Sequence, residues 1–394
     1  MHSNTTSAGL ERTLFDDEHG LFREAVATFV ARHVAPHHER WRRERAIDRS
    51  LWREAGAHDF LGIAVPLAHG GSGVDDFRFN VVLTEELARV GLALASSIGI
   101  HTDVVAPYLT ELTSEPQQRR WLPAFCSGEL VTAIAMTEPG AGSDLAALRT
   151  RAMPDGDGWR LSGSKTFITN GMTAELVLVA ARTGEGPRDI SLFAVEAGAE
   201  GFTRGRKLEK IGQHEADTAE LFFEGVRLTR DDLLGELHGG FAAMMERLPQ
   251  ERLHTACANL AHVEAQVEAT LAYVRERHAF GRPVGSFQAN RFLLAEIVTE
   301  LDVTRAYVDR CVEAHVAGRL GPVDAAKAKW WAAEVQNRVI DACVQLHGGY
   351  GYMDEYEVAR AWADARVTKV WAGTNEIMKE VIGRDLGLAE PRSR

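Results

Sequence analysis

A change in the spacing of apolar residues divides this chain into three parts and limits its fold more than any other feature. From about Asp16 to Phe125, apolar residues recur every three or four positions, as in EHGLFREAVATFVARHV, which predicts amphipathic helices. From about 134 to 235 the chain instead has short runs rich in β-branched and aromatic residues, separated by Gly, Asn and Asp turns. The helical spacing returns after GELHGG. The sequence therefore predicts a mostly helical α+β fold, with a helical domain (1–133), a compact antiparallel β-domain (134–237) and a second helical domain (238–394).

Composition and charge limit the partners. The 394 residues are 45% hydrophobic and 25% charged, as expected of a folded, water-soluble chain. A formal net charge of -12 disfavours contact with phosphate backbones and anionic membranes, so no nucleic-acid partner is predicted. No apolar run approaches the roughly 18 residues of a spanning helix, and no export signal is recognised, which predicts no membrane insertion. Four widely separated cysteines favour neither a zinc site nor disulfides and indicate a cytoplasmic location: Cys126, Cys257, Cys311 and Cys343.

Two segments of the β-domain offer groups for binding a ligand. The loop AMTEPGAGSD contains a Pro and two Gly that permit a tight turn, where Thr137 and Ser143 could meet a planar cofactor ring. It matches no phosphate-binding loop, and by itself such a loop is more often an ordinary turn. KTFITNG places Phe167 and Thr169 two residues apart, which predicts that both face the same side of a strand.

Taken in order, seven motifs carry a family resemblance. They are AMTEPGAGSD, GSKTFITNG, KLEKIG, DTAELFFEGV, RHAFGRPVGSFQ, QLHGGYGY and DARVTKVWAGTNEIM. Together they resemble the acyl-CoA dehydrogenase family from the first helices to about Asp385. The resemblance implies an N-terminal helical domain, a middle β-domain and a C-terminal four-helix bundle. It also implies FAD bound between the last two domains, in a homotetramer or a dimer with FAD at the interface.

The resemblance also implies roles for particular residues. Contacts around the isoalloxazine ring are expected from Thr137, Ser143, Phe167, Thr169, Thr374 and Glu376. Contacts from a neighbouring subunit to the pyrophosphate and adenine side are expected from Arg277, Phe280, Gln288, Gln345 and Gly349. The implied reaction is α,β-dehydrogenation of an acyl-CoA, part of fatty acid metabolism, with Ser143 and Arg252 near the substrate. Electron-transferring flavoprotein is the implied electron acceptor.

The catalytic base is the point at which this chain departs from many relatives. The α C–H of a thioester is a weak acid, so the reaction needs a base of raised pKa and donors to the enolate oxygen. Many members of the family have glutamate directly before the Gly-Thr of the last motif, where this chain has Ala372. LPQERL resembles the long-chain and isovaleryl-CoA dehydrogenases, which carry the base on the long helix, and this makes Glu251 the candidate. The backbone N–H of Ala372 is then the expected donor to the thioester oxygen.

Alternative interpretations remain at this stage. Glu251 could be a solvated helix carboxylate paired with Arg252 or Arg247. The segment KIGQHEADT places His214 and Glu215 where a basic residue is common, which leaves room for a thioester on an acyl carrier protein instead of CoA. An oxidase or monooxygenase on the same fold is a third interpretation, and a flavin-binding protein without a base is a fourth.

The length of the acyl chain is a separate question. Small residues in GLALASSIGIHTDV suggest room for a long or branched chain, namely Ala95, Ser96, Ser97 and Gly99.

Overall fold

The computed structural model describes residues 12–388. Its helices and strands follow the helix, sheet, helix order that the apolar spacing predicts. The N-terminal helices are α1 (Asp17–Phe29), α2 (Ala35–Glu44), α3 (Arg49–Ala57), α4 (Phe77–Val90), α5 (Leu92–Gly99), α6 (Ala106–Glu111) and α7 (Glu115–Cys126). The C-terminal helices are α8 (Gly240–Glu276), α9 (Gln288–Val316), α10 (Pro322–His347), α11 (Glu357–Ala365) and α12 (Asn375–Asp385).

Two π-helical segments join neighbouring helices into longer rods. Val30–Val34 connects α1 to α2, and Ile100–Val105 connects α5 to α6. In both cases a proline stands in the first turn of the next helix. Because proline lacks an N–H and clashes with the carbonyl four residues earlier, the wider π turn lets the helix continue past it.

The resulting rod Leu92–Glu111 corrects one expectation from the sequence. It is long and apolar enough to cross a membrane by length and composition alone. However, 83% of its most apolar window is buried inside the protein. Burial of this kind is typical of a core helix. In the sequence, polar residues interrupt the apolar run, so the length of this rod was not recognised.

The middle domain is one eight-stranded sheet whose main path runs β6-β7-β3-β2-β4-β5-β8, with β1 also paired to β4. Most neighbours are antiparallel, as predicted, but β1 and β2 each pair with β4 in parallel. A parallel pairing needs a long connection between its strands, which the turn signals of the sequence do not reveal. The strands are β1 (Thr132–Ala135), β2 (Arg151–Asp155), β3 (Gly158–Thr169), β4 (Leu176–Arg182), β5 (Ile190–Glu196), β6 (Phe202–Lys207), β7 (Thr218–Leu228) and β8 (Leu233–Leu234). A separate hairpin joins His278–Ala279 to Arg282–Pro283.

Helix α8 organises the C-terminal domain. It runs unbroken for 37 residues through Pro249 and packs against α10, α9 and α4. Its apolar residues share one core with those of α9 and α10, including Leu260, Val263 and Val339.

A buried ion-pair cluster fixes the N-terminal helices against this domain. The carboxylate of Glu85 on α4 contacts Arg12 and Arg305 at 2.8 Å and Arg23 at 2.7 Å. Although burial opposes ionisation, these three charges hold the pKa of Glu85 well below its usual value. The cluster therefore ties α4 to α1 and to α9.

Candidate active site

Glu251 lies on α8 beside α6 of the N-terminal domain. The hydroxyl of the fully buried Tyr108 is 3.4 Å from Oε1 of Glu251 and can donate to it. Burial raises the pKa of Glu251 to about 7, although Arg252, the hydroxyl of Tyr108 and His254 act in the opposite direction. A carboxyl group of this kind is partly protonated near neutral pH and is a stronger base than an exposed glutamate.

The arginines next to Glu251 do not pair with it. Arg247 forms its salt bridge with Glu111 at 2.5 Å, and its guanidinium lies 5.1 Å from the centre of the Tyr108 ring. The buried Arg252 has no partner for its Nε within residues 12–388, where no salt bridge to Glu251 occurs either. Glu251 is therefore not the solvated, ion-paired helix carboxylate of the first alternative.

The loop before α12 presents an unusual backbone to this region. Ala372 has φ of 50° and Gly373 has φ of 84°, both in the left-handed region that favours glycine. Thr374 caps α12, its hydroxyl accepting from the N–H of Ile377 at 3.2 Å. Among the described residues, the N–H of Ala372 has no protein acceptor. A side-chain carbon built on Gly373 would lie 4.0 Å from Nη2 of Arg252, so the loop adjoins α8 directly after Glu251.

A buried lysine that sequence reasoning missed holds this loop. Nζ of Lys329 on α10 donates to the carbonyl of Gly373 at 2.6 Å and to Oδ1 of Asn375 at 3.1 Å. The side chain is fully buried, and burial, followed by the charge of Arg252, lowers the pKa of Lys329 to about 7. The sequence offered one weak signal, the two lysines at 327 and 329 within the otherwise apolar run AAKAKWWAA.

The two segments of the β-domain that offer groups for a ligand lie against each other. The N–H of Thr166 donates to the carbonyl of Thr137 at 3.0 Å, which joins the Gly-rich loop to β3. The loop is held from within by Glu138, which accepts from the N–H groups of Arg149 at 2.6 Å and Thr150 at 2.9 Å. This carboxylate also pairs with the buried Lys165 at 2.8 Å.

The side chains presented there fit a planar cofactor. Phe167 is 67% exposed and has φ of 60°, at a β-bulge between Lys165 and Ile168. Thr137 and Thr169 are half-buried, and Ser143 is exposed. An exposed aromatic ring and hydroxyl groups on the same loop and strand suit a flat, hydrogen-bonding ring such as isoalloxazine. Glu376, in the first turn of α12, is exposed. Hydrogen bonds to its carboxylate, first from its own backbone N–H and then from the hydroxyl of Thr374, lower its pKa.

The residues expected to serve a neighbouring subunit form a second group. Arg277, Phe280 and Gln288 follow the end of α8, while Gln345 and Gly349 lie at the end of α10, and all five are exposed. Stacking of Tyr273 on His347, with centroids 4.1 Å apart, brings the two helix ends together. At 1.5 Å per residue this group lies roughly 40 Å along α8 from Glu251. The structure does not bring the two groups together within one chain.

The small residues of α5 do not leave the open space for a long acyl chain that the sequence suggested. A side-chain carbon built on Gly99 would lie 2.1 Å from Cε1 of His254, so the imidazole already fills that space. Ala95 and Ser97 are buried in the packing of the N-terminal domain, and Ser96 donates to the carbonyl of Ala93 at 3.0 Å. The small side chains therefore accommodate protein and do not by themselves leave room for a long chain.

Glu215, the acidic residue at a position where a basic one is common, is not exposed to a substrate. It is fully buried at the junction of the three domains, 2.9 Å from Nε2 of His38 and 3.7 Å from Arg42, which in turn contacts Asp364 at 3.1 Å. Burial raises its pKa, but His38 and Arg42 lower it overall. A buried, paired carboxylate cannot repel CoA phosphates, which weakens the reason for a carrier-protein substrate. His214 is half-buried, and burial lowers its pKa.

The site combines a half-buried carboxyl group of raised pKa with exposed groups suited to a cofactor, which is the arrangement of an enzyme. Models of the acyl-CoA dehydrogenase N-terminal, middle and C-terminal domains match residues 16–129, 133–226 and 238–387. The chain is 46% identical over 385 residues to the mitochondrial long-chain specific acyl-CoA dehydrogenase of Sus scrofa, covering 97% of this chain and 89% of that protein. It is 35% identical over 377 residues to the mitochondrial isovaleryl-CoA dehydrogenase of Solanum tuberosum, covering 95% and 91%.

Solved structures agree in fold. An acyl-CoA dehydrogenase from Geobacillus kaustophilus matches with a TM-score of 0.94 at 46% identity, covering 95% of this chain and 100% of that one. A glutaryl-CoA dehydrogenase from Mycobacterium smegmatis in complex with FADH2 matches with a TM-score of 0.90 at 26% identity, covering 96% and 97%. The chain therefore belongs to the acyl-CoA dehydrogenase family. It is an oxidoreductase of that family, and the predicted resemblance and three-part fold are confirmed.

Proposed function

We propose that this enzyme removes hydrogen from the α and β carbons of an acyl-CoA to give the trans-2-enoyl thioester, with Glu251 as the base. The observation that carries the proposal is the position of Glu251, partly buried, without an ion-pair partner among the described residues, and with a pKa of about 7. The long-chain specific and isovaleryl-CoA relatives support the substrate class.

The residues of this chain would divide the work as follows. Oε1 or Oε2 of Glu251 takes the α-proton, while Tyr108 orients the carboxylate. The N–H of Ala372 donates to the thioester oxygen as negative charge develops there, since no protein acceptor within the described residues competes for it. Lys329 fixes the N–H of Ala372 by donating to the carbonyl of Gly373, the next residue. Arg252 lies next to this loop, where it can meet the polar part of the substrate.

FAD is the cofactor that we propose for this site. When bound, it would supply the acceptor for the hydride that leaves the β-carbon. Thr137, Ser143, Phe167, Thr169, Thr374 and Glu376 would surround its ring system. The FADH2 complex of the Mycobacterium smegmatis glutaryl-CoA dehydrogenase supports this choice, as does the exposed aromatic ring of Phe167.

We further propose a homotetramer, or a dimer with FAD at the interface. Phe280 is 95% exposed, and the apolar side chains of Phe292 and Val303 on α9 are 57% and 65% exposed. Such exposure is costly in a monomer and is typical of a face that another subunit covers. The distance of roughly 40 Å along α8 between Glu251 and the second group of ligand residues has the same implication. Electron-transferring flavoprotein as acceptor and a cytoplasmic location remain predictions.

The alternatives have weaker support. A carrier-protein thioester rested on KIGQHEADT, whose Glu215 is buried and paired. A monooxygenase removes no α-proton, and a flavin-binding protein without a base would have no use for Glu251. An oxidase would use the same base, and rapid peroxide formation in air would distinguish it. An anaerobic titration of the FAD-loaded enzyme with acyl-CoAs of different lengths and branching, followed by flavin absorbance, tests the proposal. Bleaching supports it. Bleaching only with carrier-protein thioesters, or only after Ala372→Glu, contradicts it in favour of an alternative.

The pH dependence of flavin reduction should follow Glu251. Because the carboxyl must be deprotonated to act, kcat/KM should rise about tenfold per pH unit below a midpoint near 7 and level off above it. In Tyr108→Phe the hydroxyl no longer favours the carboxylate, so the midpoint should move upward by about half a unit to one unit. Stopped-flow measurement of flavin reduction between roughly pH 5.5 and pH 9 gives both midpoints, that of the wild type and that of Tyr108→Phe, because this range covers both sides of a pKa of about 7.

Tyr352→Phe provides the matched control, since Tyr352 is 85% exposed. Its midpoint should equal that of the wild type. A midpoint near the usual glutamate value, or one that Tyr108→Phe moves downward, would contradict the assignment.

A further inference from the structure

A guanidinium group lies over the phenol ring that contacts the proposed base. The charged end of Arg247, on α8, is 5.1 Å from the centre of the Tyr108 ring on α6, within the range of a cation–π contact. Its Nη2 donates to the carboxylate of Glu111 at 2.5 Å, and its Nη1 donates to the carbonyl of Ala243 at 3.0 Å. Arg247 is buried, and Tyr108 is fully buried. The guanidinium is therefore held in one place against the ring.

The spacing of these residues arranges them as two facing pairs. Tyr108 and Glu111 are three residues apart on α6, and Arg247 and Glu251 are four residues apart on α8, so each pair shares one side of its helix. Two contacts join the helices, Arg247 with Glu111 and the hydroxyl of Tyr108 with Oε1 of Glu251 at 3.4 Å. The second contact is long for a hydroxyl donor, so a small displacement of the phenol would break it.

The charge of Arg247 also acts on the hydroxyl group of Tyr108. Burial and the charge of Glu251 raise the pKa of Tyr108 well above its usual value, while Arg247 acts in the opposite direction. A cation over the ring therefore makes the phenol a better hydrogen-bond donor than Glu251 alone would leave it. Tyr108 orients the base in the proposed mechanism, and Arg247 is the charged group that holds Tyr108.

We propose that Arg247 is a positioning residue for the dehydrogenation, which holds the hydroxyl of Tyr108 on Glu251 and so favours the carboxylate form that takes the α-proton. This inference rests on the proposed dehydrogenase function. Arg247 acts through Tyr108 and not by pairing with Glu251, since no salt bridge joins the two within residues 12–388.

Other charged and titratable groups surround Glu251 and set the background for a test by pH. Among the described residues they are Arg247, Arg252 and His254 on α8, Tyr108 and Glu111 on α6, and Asp103 of the π-helical segment, which pairs with His254 at 2.6 Å. Variants of Arg247 alone leave the other groups in place. A change in the pH midpoint of such a variant therefore reports the contribution of Arg247.

The test measures kcat/KM for flavin reduction between roughly pH 5.5 and pH 9 in the FAD-loaded enzyme, with the acyl-CoA that bleaches the wild-type flavin fastest. In Arg247→Met the midpoint should move upward by about half a unit to one unit, the shift expected of Tyr108→Phe. At about pH 6 the rate should therefore fall about 3- to 10-fold, while at about pH 9 it should match that of the wild type. General damage to the fold would lower the rate at every pH and leave the midpoint in place. Arg247→Lys, which keeps the charge, should retain most of the wild-type midpoint.

A double variant separates an effect through Tyr108 from a direct effect of the charge on Glu251. In Arg247→Met/Tyr108→Phe the midpoint should equal that of Tyr108→Phe, because no hydroxyl is left to hold. A midpoint above that of Tyr108→Phe overturns the inference, since Arg247 would then act on Glu251 directly. A wild-type midpoint in Arg247→Met also overturns it, because the surrounding core alone would then fix the phenol.

Two further variants complete the experiment. Arg310→Met is the matched control, since it breaks the exposed pair of Arg310 with Glu313 on α9, and its midpoint should equal that of the wild type. Arg247→Gln covers the case in which Arg247→Met does not fold. It can still donate to Glu111 but carries no charge, so its midpoint should also move upward, and an unchanged midpoint overturns the inference. All these outcomes leave the dehydrogenase function standing, whereas the proposed function itself fails if no acyl-CoA reduces the wild-type flavin.

Discussion

Glu251→Gln should lower the rate of flavin reduction by acyl-CoA by about 10²- to 10⁴-fold, the usual effect of losing a general base. That range corresponds to about 3–5 kcal/mol of activation free energy. Glutamine has nearly the same shape but cannot take the α-proton, and the other candidate position holds Ala372, which has no carboxylate. Rapid mixing under anaerobic conditions, with flavin absorbance as the signal, measures the rate of the chemical step directly.

The pattern of the kinetic constants is part of this prediction. A base acts in the transition state and contributes little to substrate binding, so kcat and kcat/KM should fall by similar factors. Flavin content and thermal unfolding should change little, because Glu251 forms no salt bridge within the described part of the chain. Glu246→Gln is the matched control, an exposed glutamate on the same helix, and it should reduce flavin at the wild-type rate. A Glu251→Gln enzyme that retained near-normal rates would show that another group is the base.

Lys329→Met is expected to have the second largest effect, through the loop that carries Ala372. The substitution leaves the carbonyl of Gly373 and the side chain of Asn375 without their buried donor. Each of the two orphaned groups costs about 1–3 kcal/mol, so the free energy of unfolding should fall by about 2–6 kcal/mol. Because Ala372 and Gly373 have positive φ, the loop depends on such external contacts to keep its shape. The rate of flavin reduction should therefore also fall, by about tenfold or more, as the N–H of Ala372 loses its position.

Denaturant unfolding and stopped-flow reduction test the two parts of this prediction separately. Lys327→Met is the control, because Lys327 is exposed two residues earlier on α10 and contacts Asp324 at 3.4 Å. It should leave both the stability and the rate unchanged. If Lys329→Met lowers the stability but reduces flavin at the wild-type rate, the loop does not need the lysine to present its N–H.

The sequence was sufficient for the order of the domains and for the identity of the candidate base. Helical spacing needs only neighbours three or four residues apart, and strands need only alternation, so both are readable locally. Ordered motifs such as AMTEPGAGSD and VWAGTNEIM carried the family resemblance, and Ala372 together with LPQERL pointed to Glu251. The local patterns could not show that β1 and β2 pair in parallel with β4, because that pairing joins distant segments.

The properties that make Glu251 the candidate base were decided by the tertiary structure alone. Its contact with Tyr108 spans 143 residues of sequence, and that of His254 with Asp103 spans 151. Likewise, the small residue Gly99 suggested open space when only the sequence was considered, but in the folded structure the imidazole of His254 occupies that space. The sequence by itself determined which chemical groups are present and which local elements carry them. Burial depends on which distant side chains exclude water from one another, and only the packed structure decides that. The pKa of Glu251, the support of the Ala372 loop and the orientation of His254 all follow from this packing.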